Sequence, residues 1–575
     1  MQKGNNEQTD TRVENDSMGQ VEVPKDALWR AQTERARQNF QLSNLRFPAE
    51  FIHTLAHIKA AAADANCESS IISKQQADAI HTAIETILAG QADDAFPLDI
   101  FQTGSGTSTN MNMNEVIASL AAKLCHEQIH PNDHVNASQS SNDVIPTAIL
   151  VSSVLSLRKH LLPALAHLKQ TIERKAQTLT ETIKTGRTHL MDAMPLSMAQ
   201  ELRAWITQLE HVESGLNHAL SQASRLPQGG TAIGSGINAP ENFGERFCHF
   251  LSQRTATKFD ASANPFAGIA GQEVNLALSG QLNALSAVLM KISNDLRWMN
   301  SGPLAGLGEI SLKALQPGSS IMPGKVNPVI PEAVAMVCAQ VAGNHHTVSI
   351  AAQQGNFQLN VMLPVIAFNQ LQSIELLSNA AHALADKAIA DFTVNHDRLN
   401  EALAKNPILV TALNREIGYN KAAEIAKQGG KDSFEAYKAL ASAQAGISAA
   451  LAILQVYGDP TIPTFLKFPL SVTIGAIAAA QVAQISGQQY TGARALGGQV
   501  IGGNQYLVGE RGPELITMGS NGNVTPYNQL MREARTTNNE TRNTTANINF
   551  TLPEGNEDFR NRIADNRDLI YNVVA

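Results

Sequence analysis

The chain has 575 residues, too many for one domain of ordinary size; its 43% hydrophobic, 16% charged and 5% aromatic composition excludes a disordered polyelectrolyte and favours Ala- and Leu-rich helices over an aromatic-rich β-sandwich. A formal net charge of −8 supplies no global basic field, so no nucleic-acid partner is expected. Four cysteines, Cys67, Cys125, Cys248 and Cys338, show no CxxC spacing, and no apolar signal run opens the chain, so neither a zinc nor a disulfide framework is expected and the cytoplasm is the expected location.

In chain order, the first segment unsuited to a core is Thr103-Gly104-Ser105-Gly106-Thr107-Ser108-Thr109-Asn110-Met111-Asn112-Met113-Asn114. Its hydroxyls, amides and two glycines precede a helical stretch, where such a loop either cradles an anion or merely caps the helix. His130-Pro131-Asn132-Asp133 and Ser138-Gln139-Ser140-Ser141-Asn142-Asp143 follow, built from residues that make turns. Apolar periodicity then predicts a helix over residues 149–172. The polar segment Lys184-Thr185-Gly186-Arg187-Thr188-His189-Leu190-Met191-Asp192-Ala193 holds an imidazole suited to proton transfer near neutrality, although a lone His is more often structural.

A second helix is predicted over residues 198–220. A third is set by Leu278, Leu282, Leu285, Leu289, Ile292, Leu296 and Met299, which recur at 4-3 spacing along one side of about six turns. Gly302-Pro303 and Asn327-Pro328 mark turns, and no GxGxxG or Walker-type loop alternates with strands. The fourth polar segment, Gly318-Ser319-Ser320-Ile321-Met322-Pro323-Gly324-Lys325-Val326-Asn327-Pro328, packs two hydroxyls, an ammonium and an amide into one glycine-bounded loop. Such a loop can hold a carboxylate and stabilise charge that develops on it.

Composition changes near Gln428. All 16 His, all four Cys and all three Trp precede it, whereas the remainder holds 16 of the 39 Gly and nearly balanced charges, 11 basic and 12 acidic. The expected division is residues 1–139, 140–394 and 395–428, followed by a separate tail over residues 429–575, with the boundary at Gly429-Gly430.

The fourth segment resembles the GSSxMPxKxN signature of the fumarase/aspartase superfamily, and residues 12–428 resemble a class II fumarase across all four polar segments in order. The opening Asp16-Ser17-Met18-Gly19, Val23-Pro24 and Leu28-Trp29, with Ala31-Gln32-Thr33, is similar to that family, as are Gly229-Gly230-Thr231-Ala232-Ile233-Gly234 and Gly355-Asn356-Phe357. Gly186-Arg187-Thr188-His189 matches the GRTH of fumarases, where aspartases carry GRTQ. The resemblance implies an all-α long-helix bundle with a truncated third domain. It also implies reversible addition of water to the dicarboxylate fumarate, giving (S)-malate, with no metal and no cofactor.

By the same resemblance, Ser319 takes the C3 proton of malate, Lys325 and Asn327 stabilise the resulting aci-carboxylate, and His189 with Glu332 serves the opposite face. Ser105, Thr107, Ser140, Ser141, Asn142, Thr188 and Ser320 are implied to hold the substrate carboxylates, and His130, Asn132 and Asp133 to form a second anion site. A homotetramer is implied, each active site drawing on three subunits. Three departures stand out: Arg30 where the family usually has Gly, Met191 where it usually has Gln, and a shorter stretch between Asn114 and His130.

The tail resembles the C-terminal end of a phage tail tape-measure protein. The resemblance rests on Ala441-Ser442-Ala443-Gln444-Ala445, Ala478-Ala479-Ala480-Gln481-Val482-Ala483 and, above all, Tyr506-Leu507-Val508-Gly509-Glu510-Arg511-Gly512-Pro513-Glu514-Leu515. It implies an Ala-rich helical part, a Gly- and Asn-rich, partly disordered part, and phage tail components as partners. Residues 468–490 lack charge, yet Pro469, Gln481, Gln484 and Gly487 argue for an amphipathic or self-associating helix rather than a membrane span. The competing readings are a tail structural fusion without activity and an aspartase-like ammonia-lyase.

Overall fold

The computed structural model describes residues 10–123, 128–406 and 418–428, a few positions between these last two stretches, and four short strands between residues 498 and 524. The chain forms two compact units, residues 1–411 and 412–575.

The first unit is a helical bundle. Its main helices are α1 (Ala31–Asn39), α2 (Ala49–Glu68), α3 (Lys74–Leu88), α4 (Thr107–Ala121), α5 (Ser141–Ser156), α6 (Leu162–Gln177), α7 (Met198–Ala223), α8 (Phe243–Thr255), α9 (Pro265–Ala270), α10 (Glu273–Met299), α11 (Val329–Ala352), α12 (Leu363–Leu384) and α13 (His396–Lys405). Helices α3, α5 and α7 each open on a capping box, at Ser73/Gln76, Ser140/Asp143 and Ser197/Gln200, which satisfies N–H groups that a helix start leaves free. The 4-3 apolar row of α10 is wholly buried, and α10 packs between α7 and α11. Each of its buried leucines contributes about 1.5–3 kcal/mol relative to exposure. Trp205 of α7 is buried against this row, and its indole Nε1 donates to Asp295 Oδ2 at 3.1 Å.

The helix predicted over residues 149–172 is two helices, α5 and α6, joined by the π-helical turn Leu157–Leu161. The continuous run Ser141–Gln177 is long and apolar enough to cross a membrane, but 67% of its most apolar window is buried inside the bundle, so it serves as core. A second π-helical turn, Ala385–Ile389, continues α12.

The all-α expectation needs one correction that matters for the site. Residues 184–193, expected as a polar loop, form an antiparallel hairpin of Ile183–Thr188 and Met191–Ser197. Lys184 and Thr185 are buried at the base, whereas Thr188 through Asp192 are exposed at the tip. Short two-stranded pairs also occur at the N-terminus (Thr11–Asp16 with Gly19–Pro24) and at Ile310–Ser311 with Thr393–Val394.

In the second unit, Tyr419–Gln428 is helical, as the similarity to the family's third domain implies. Gln505–Val508 pairs antiparallel with Glu514–Thr517, and Gly498–Val500 pairs with Gly522–Val524. The Ala-rich helical part, the uncharged residues 468–490 and most of the Asn-rich end lie outside the described residues.

Candidate active site

Gly318 to Pro328 is closed on itself. Gly318 N–H donates to Lys325 O at 2.8 Å, and Asn327 Nδ2 donates back to Gly318 O at 2.8 Å. A Cβ at position 318 would stand 2.5 Å from Lys325 O and 2.9 Å from Asn327 N, so only glycine permits this approach. Within the closed loop, Ser319 Oγ accepts the N–H groups of Ile321 and Met322 at 3.2 and 2.9 Å. Two N–H dipoles aimed at one hydroxyl oxygen favour its ionised form. Lys325 is exposed, Asn327 half-buried, and both line a cavity of about 580 Å³ with Glu332 from the first turn of α11, beside Arg297, Trp298 and Asn300. Ser319 and Ser320 sit on the same loop.

Ser105 and Thr107 meet at the N-terminus of α4, their hydroxyls 2.7 Å apart. One hydroxyl hydrogen remains for a ligand, next to the free N–H groups of a helix start. Gly106 caps this helix at φ +71°, and Ile145 leaves no room there for a side chain. Thr107 also lines a second cavity, of about 520 Å³, with Asp16, Gln32, Arg35 and Thr103.

The N-terminus of α5 lies alongside. Ser140 Oγ accepts from Asn142 N–H at 3.2 Å as a cap, which leaves its own hydrogen free to donate. Ser141 Oγ accepts from Asn110 Nδ2 at 3.1 Å, and Asn142 Nδ2 donates to Ala232 O at 2.8 Å. Beneath them is a layer that motif reading missed. Asn136 Oδ1 accepts from Lys59 Nζ at 2.8 Å and from the amides of Asn110 and Asn114, both at 3.1 Å; Lys59 also reaches Gln139 Oε1 at 3.1 Å. Asp143 accepts the N–H groups of Ser140, Gly229 and Thr231 at 2.9–3.0 Å, which ties α5 to the Gly-rich segment 229–234. Burial pushes Lys59 down to about 7 and Asp143 up to about 7, each partly restrained by the charge of the other. The signal for Lys59 was a single charge inside the apolar run Ile58-Lys59-Ala60-Ala61-Ala62-Ala63.

His189 and Leu190 form the two-residue hairpin turn, with φ of +56° and +62°, the left-handed pair that matches strand twist. Thr188, His189 and Met191 are all exposed. The hairpin base is anchored: Lys184 Nζ lies 2.7 Å from both Glu201 Oε2 and Glu309 Oε2, and Arg187 also engages the fully buried Glu309 carboxylate. An exposed imidazole thus stands on a fixed stem. Among the described residues, neither the His189 ring nor the Glu332 carboxylate has a hydrogen-bond or ion-pair partner within the chain, and His189 does not line the Lys325 cavity.

His130, Asn132 and Asp133 share the turn that begins at Pro131. His130 Nδ1 accepts the N–H groups of Asn132 and Asp133 at 3.3 and 3.2 Å and stands 3.1 Å from Asp133 Oδ2. Arg30 occupies its unusual position productively, its Nε donating to Ser119 Oγ at 3.0 Å.

One chain therefore brings Lys325, Asn327 and Glu332 to one cavity, keeps Ser319 and Ser320 elsewhere on the loop that carries Lys325, and sets Ser105, Thr107, Ser140, Ser141 and Asn142 on neighbouring helix starts. It leaves Thr188 and His189 on a separate projection.

The lyase family matches residues 19–343. The class II fumarate hydratase of Xylella fastidiosa (strain 9a5c) is 58% identical over 421 residues, covering 73% of this chain and 89% of the relative. A class II fumarate hydratase of Pseudomonas aeruginosa is 55% identical over 420 residues, covering 73% of this chain and 92% of the relative. The crystal structure of recombinant class II fumarase from Schistosoma mansoni matches with a TM-score of 0.72 at 40% identity, over 73% of this chain and 93% of that one. On these grounds the chain belongs to the lyase family, within its class II fumarate hydratase branch.

Proposed function

We propose that residues 12–428 form a fumarate hydratase that reversibly adds water to fumarate, giving (S)-malate. The observation that carries this reading is the closed Gly318–Pro328 loop, in which the Ser319 hydroxyl oxygen accepts two N–H groups while Lys325 and Asn327 of the same loop line a cavity with Glu332. In the dehydration direction, Ser319 takes the C3 proton and the electron pair moves onto the adjacent carboxylate. Lys325 and Asn327 meet that second negative charge; losing one such donor typically costs about 10²–10³ in kcat. His189 delivers a proton to the departing C2 hydroxyl, which leaves as water. Ser105, Thr107, Ser140, Ser141, Asn142, Thr188 and Ser320 supply hydroxyl, amide and helix-terminus donors to the two carboxylates, and His130, Asn132 and Asp133 form a peripheral anion site.

Because His189 and Thr188 stand apart from the other groups within one chain, the working site is assembled from neighbouring copies, as a homotetramer in the cytoplasm. Glu332 then orients an imidazole that arrives from another subunit. Residues 429–575 are read as a separate module of tape-measure-like character joined to the enzyme, a reading supported by the composition break at Gln428. Purified protein should remove the ultraviolet absorbance of fumarate and yield malate. No turnover by a tetrameric preparation would reject the assignment, and ammonia release from aspartate would replace it with an ammonia-lyase.

A further inference from the structure

Where α12 runs into the π-helical turn Ala385–Ile389, three metal-ligating side chains outside the assigned machinery converge. His382 and Asp386 stand four residues apart on this continuous helix, and His167 faces them from α6. One ligand atom from each lies within 4.8 Å of the others. His167 Nε2 is 2.6 Å from Asp386 Oδ1, and the two imidazole centroids are 5.4 Å apart at a 37° tilt. Among the described residues, Asp386 has no lysine or arginine partner, and the His382 ring nitrogens make no hydrogen bond.

We propose that His167, His382 and Asp386 bind one divalent transition-metal ion of the zinc class, clamping α6 to the end of α12. The donor set decides the class. Two imidazole nitrogens and a carboxylate oxygen suit Zn²⁺, Co²⁺ or Ni²⁺ and are too few oxygens for Ca²⁺. Each donor needs to come within about 2.0–2.2 Å of a common point, leaving the fourth position for water. The three ligand atoms already lie within 4.8 Å of one another, on one partly exposed and two exposed side chains.

On binding, the His167–Asp386 hydrogen bond opens, each histidine coordinates through an unprotonated nitrogen, and any proton on those nitrogens leaves to solvent. His382 also borders a cavity of about 350 Å³ with His160, Glu375 and Ser378, and the exposed Asp386 leaves the position open to solvent. The backbone supports this assignment independently. α-Helices rarely admit π-turns, which concentrate at functional positions, and here the turns Leu157–Leu161 and Ala385–Ile389 lie on packed neighbours.

The test uses the full chain after chelator treatment and dialysis. Calorimetric titration with Zn²⁺ and visible absorption on adding Co²⁺ should each saturate at one ion per chain, and Zn²⁺ should raise the Tm. His382→Ala and Asp386→Asn, with unchanged far-ultraviolet circular dichroism, should each weaken binding by at least about 100-fold, the upper end of what losing even an outer-shell partner costs. They should also abolish the Tm response. Absence of saturable binding to the wild-type chain, or equal affinity in wild type and both variants, would overturn the proposal.

Discussion

Gly318→Ala is the most informative single substitution, because it adds one carbon, removes no chemical group and acts only on loop closure. The new Cβ would stand 2.5 Å from Lys325 O, where ordinary contact begins at 3.4 Å, so the carbonyl must retreat by roughly 1 Å. That retreat breaks the 2.8 Å bond from Gly318 N–H, worth about 0.5–1.5 kcal/mol, and carries Lys325 and Asn327 away from Ser319. Stability should barely move, because the loop is largely exposed and contributes little to the core. Catalysis should suffer far more, since a 1 Å misplacement of positioned groups costs about 100-fold. The assay is initial-rate consumption of fumarate, with a thermal melt of the same sample. A kcat/KM within threefold of wild type would refute the claim that this closure positions the catalytic groups.

Other outcomes follow from the same geometry. Ser319→Ala and His189→Asn should each lower kcat by about 10²–10⁴ with little change in melting temperature, because both side chains lie outside the core; a rate near wild type in both would remove the assigned roles. Lys59→Met should cost about 1–3 kcal/mol in chemical denaturation, since the Asn136 and Gln139 side-chain oxygens lose a donor. Stability should also bend with pH. From the ordinary carboxylate value up to about 7, folded Asp143 keeps a proton that the unfolded chain has released, so stability falls as pH rises. From about 7 up to the ordinary lysine value, the unfolded chain holds the extra proton at Lys59, so stability recovers. Asp143→Asn should erase the first slope and keep the second, which urea midpoints across pH would resolve.

What the sequence disclosed depended on how local the cause was. The α10 row from Leu278 to Met299 was legible because helical spacing and burial coincide residue by residue. The Ser319 loop was legible because its chemistry lies within eleven consecutive positions. The His189 segment read as a loop because its strand character comes from Lys184 meeting Glu201 and Glu309, and Glu309 stands far along the chain. Asp143 read as a turn residue, yet it is fully buried as the capping partner of Ser140 and the anchor of Gly229 and Thr231. Lys59 stood out only as a lone charge in an apolar run, and its amide partners Asn136 and Gln139 lie far along the chain. The π-turn that divides α5 from α6 left no mark on apolar periodicity.

The placement of the imidazole on a projecting hairpin, apart from the serine-bearing loop of its own chain, has a genetic corollary. Two inactive alleles, one lacking His189 and the other lacking Ser319, would each still encode the half that the other is missing. In the proposed site shared between copies, co-expression would form some mixed sites with both groups intact, so two recessive lesions in one gene would partly rescue each other.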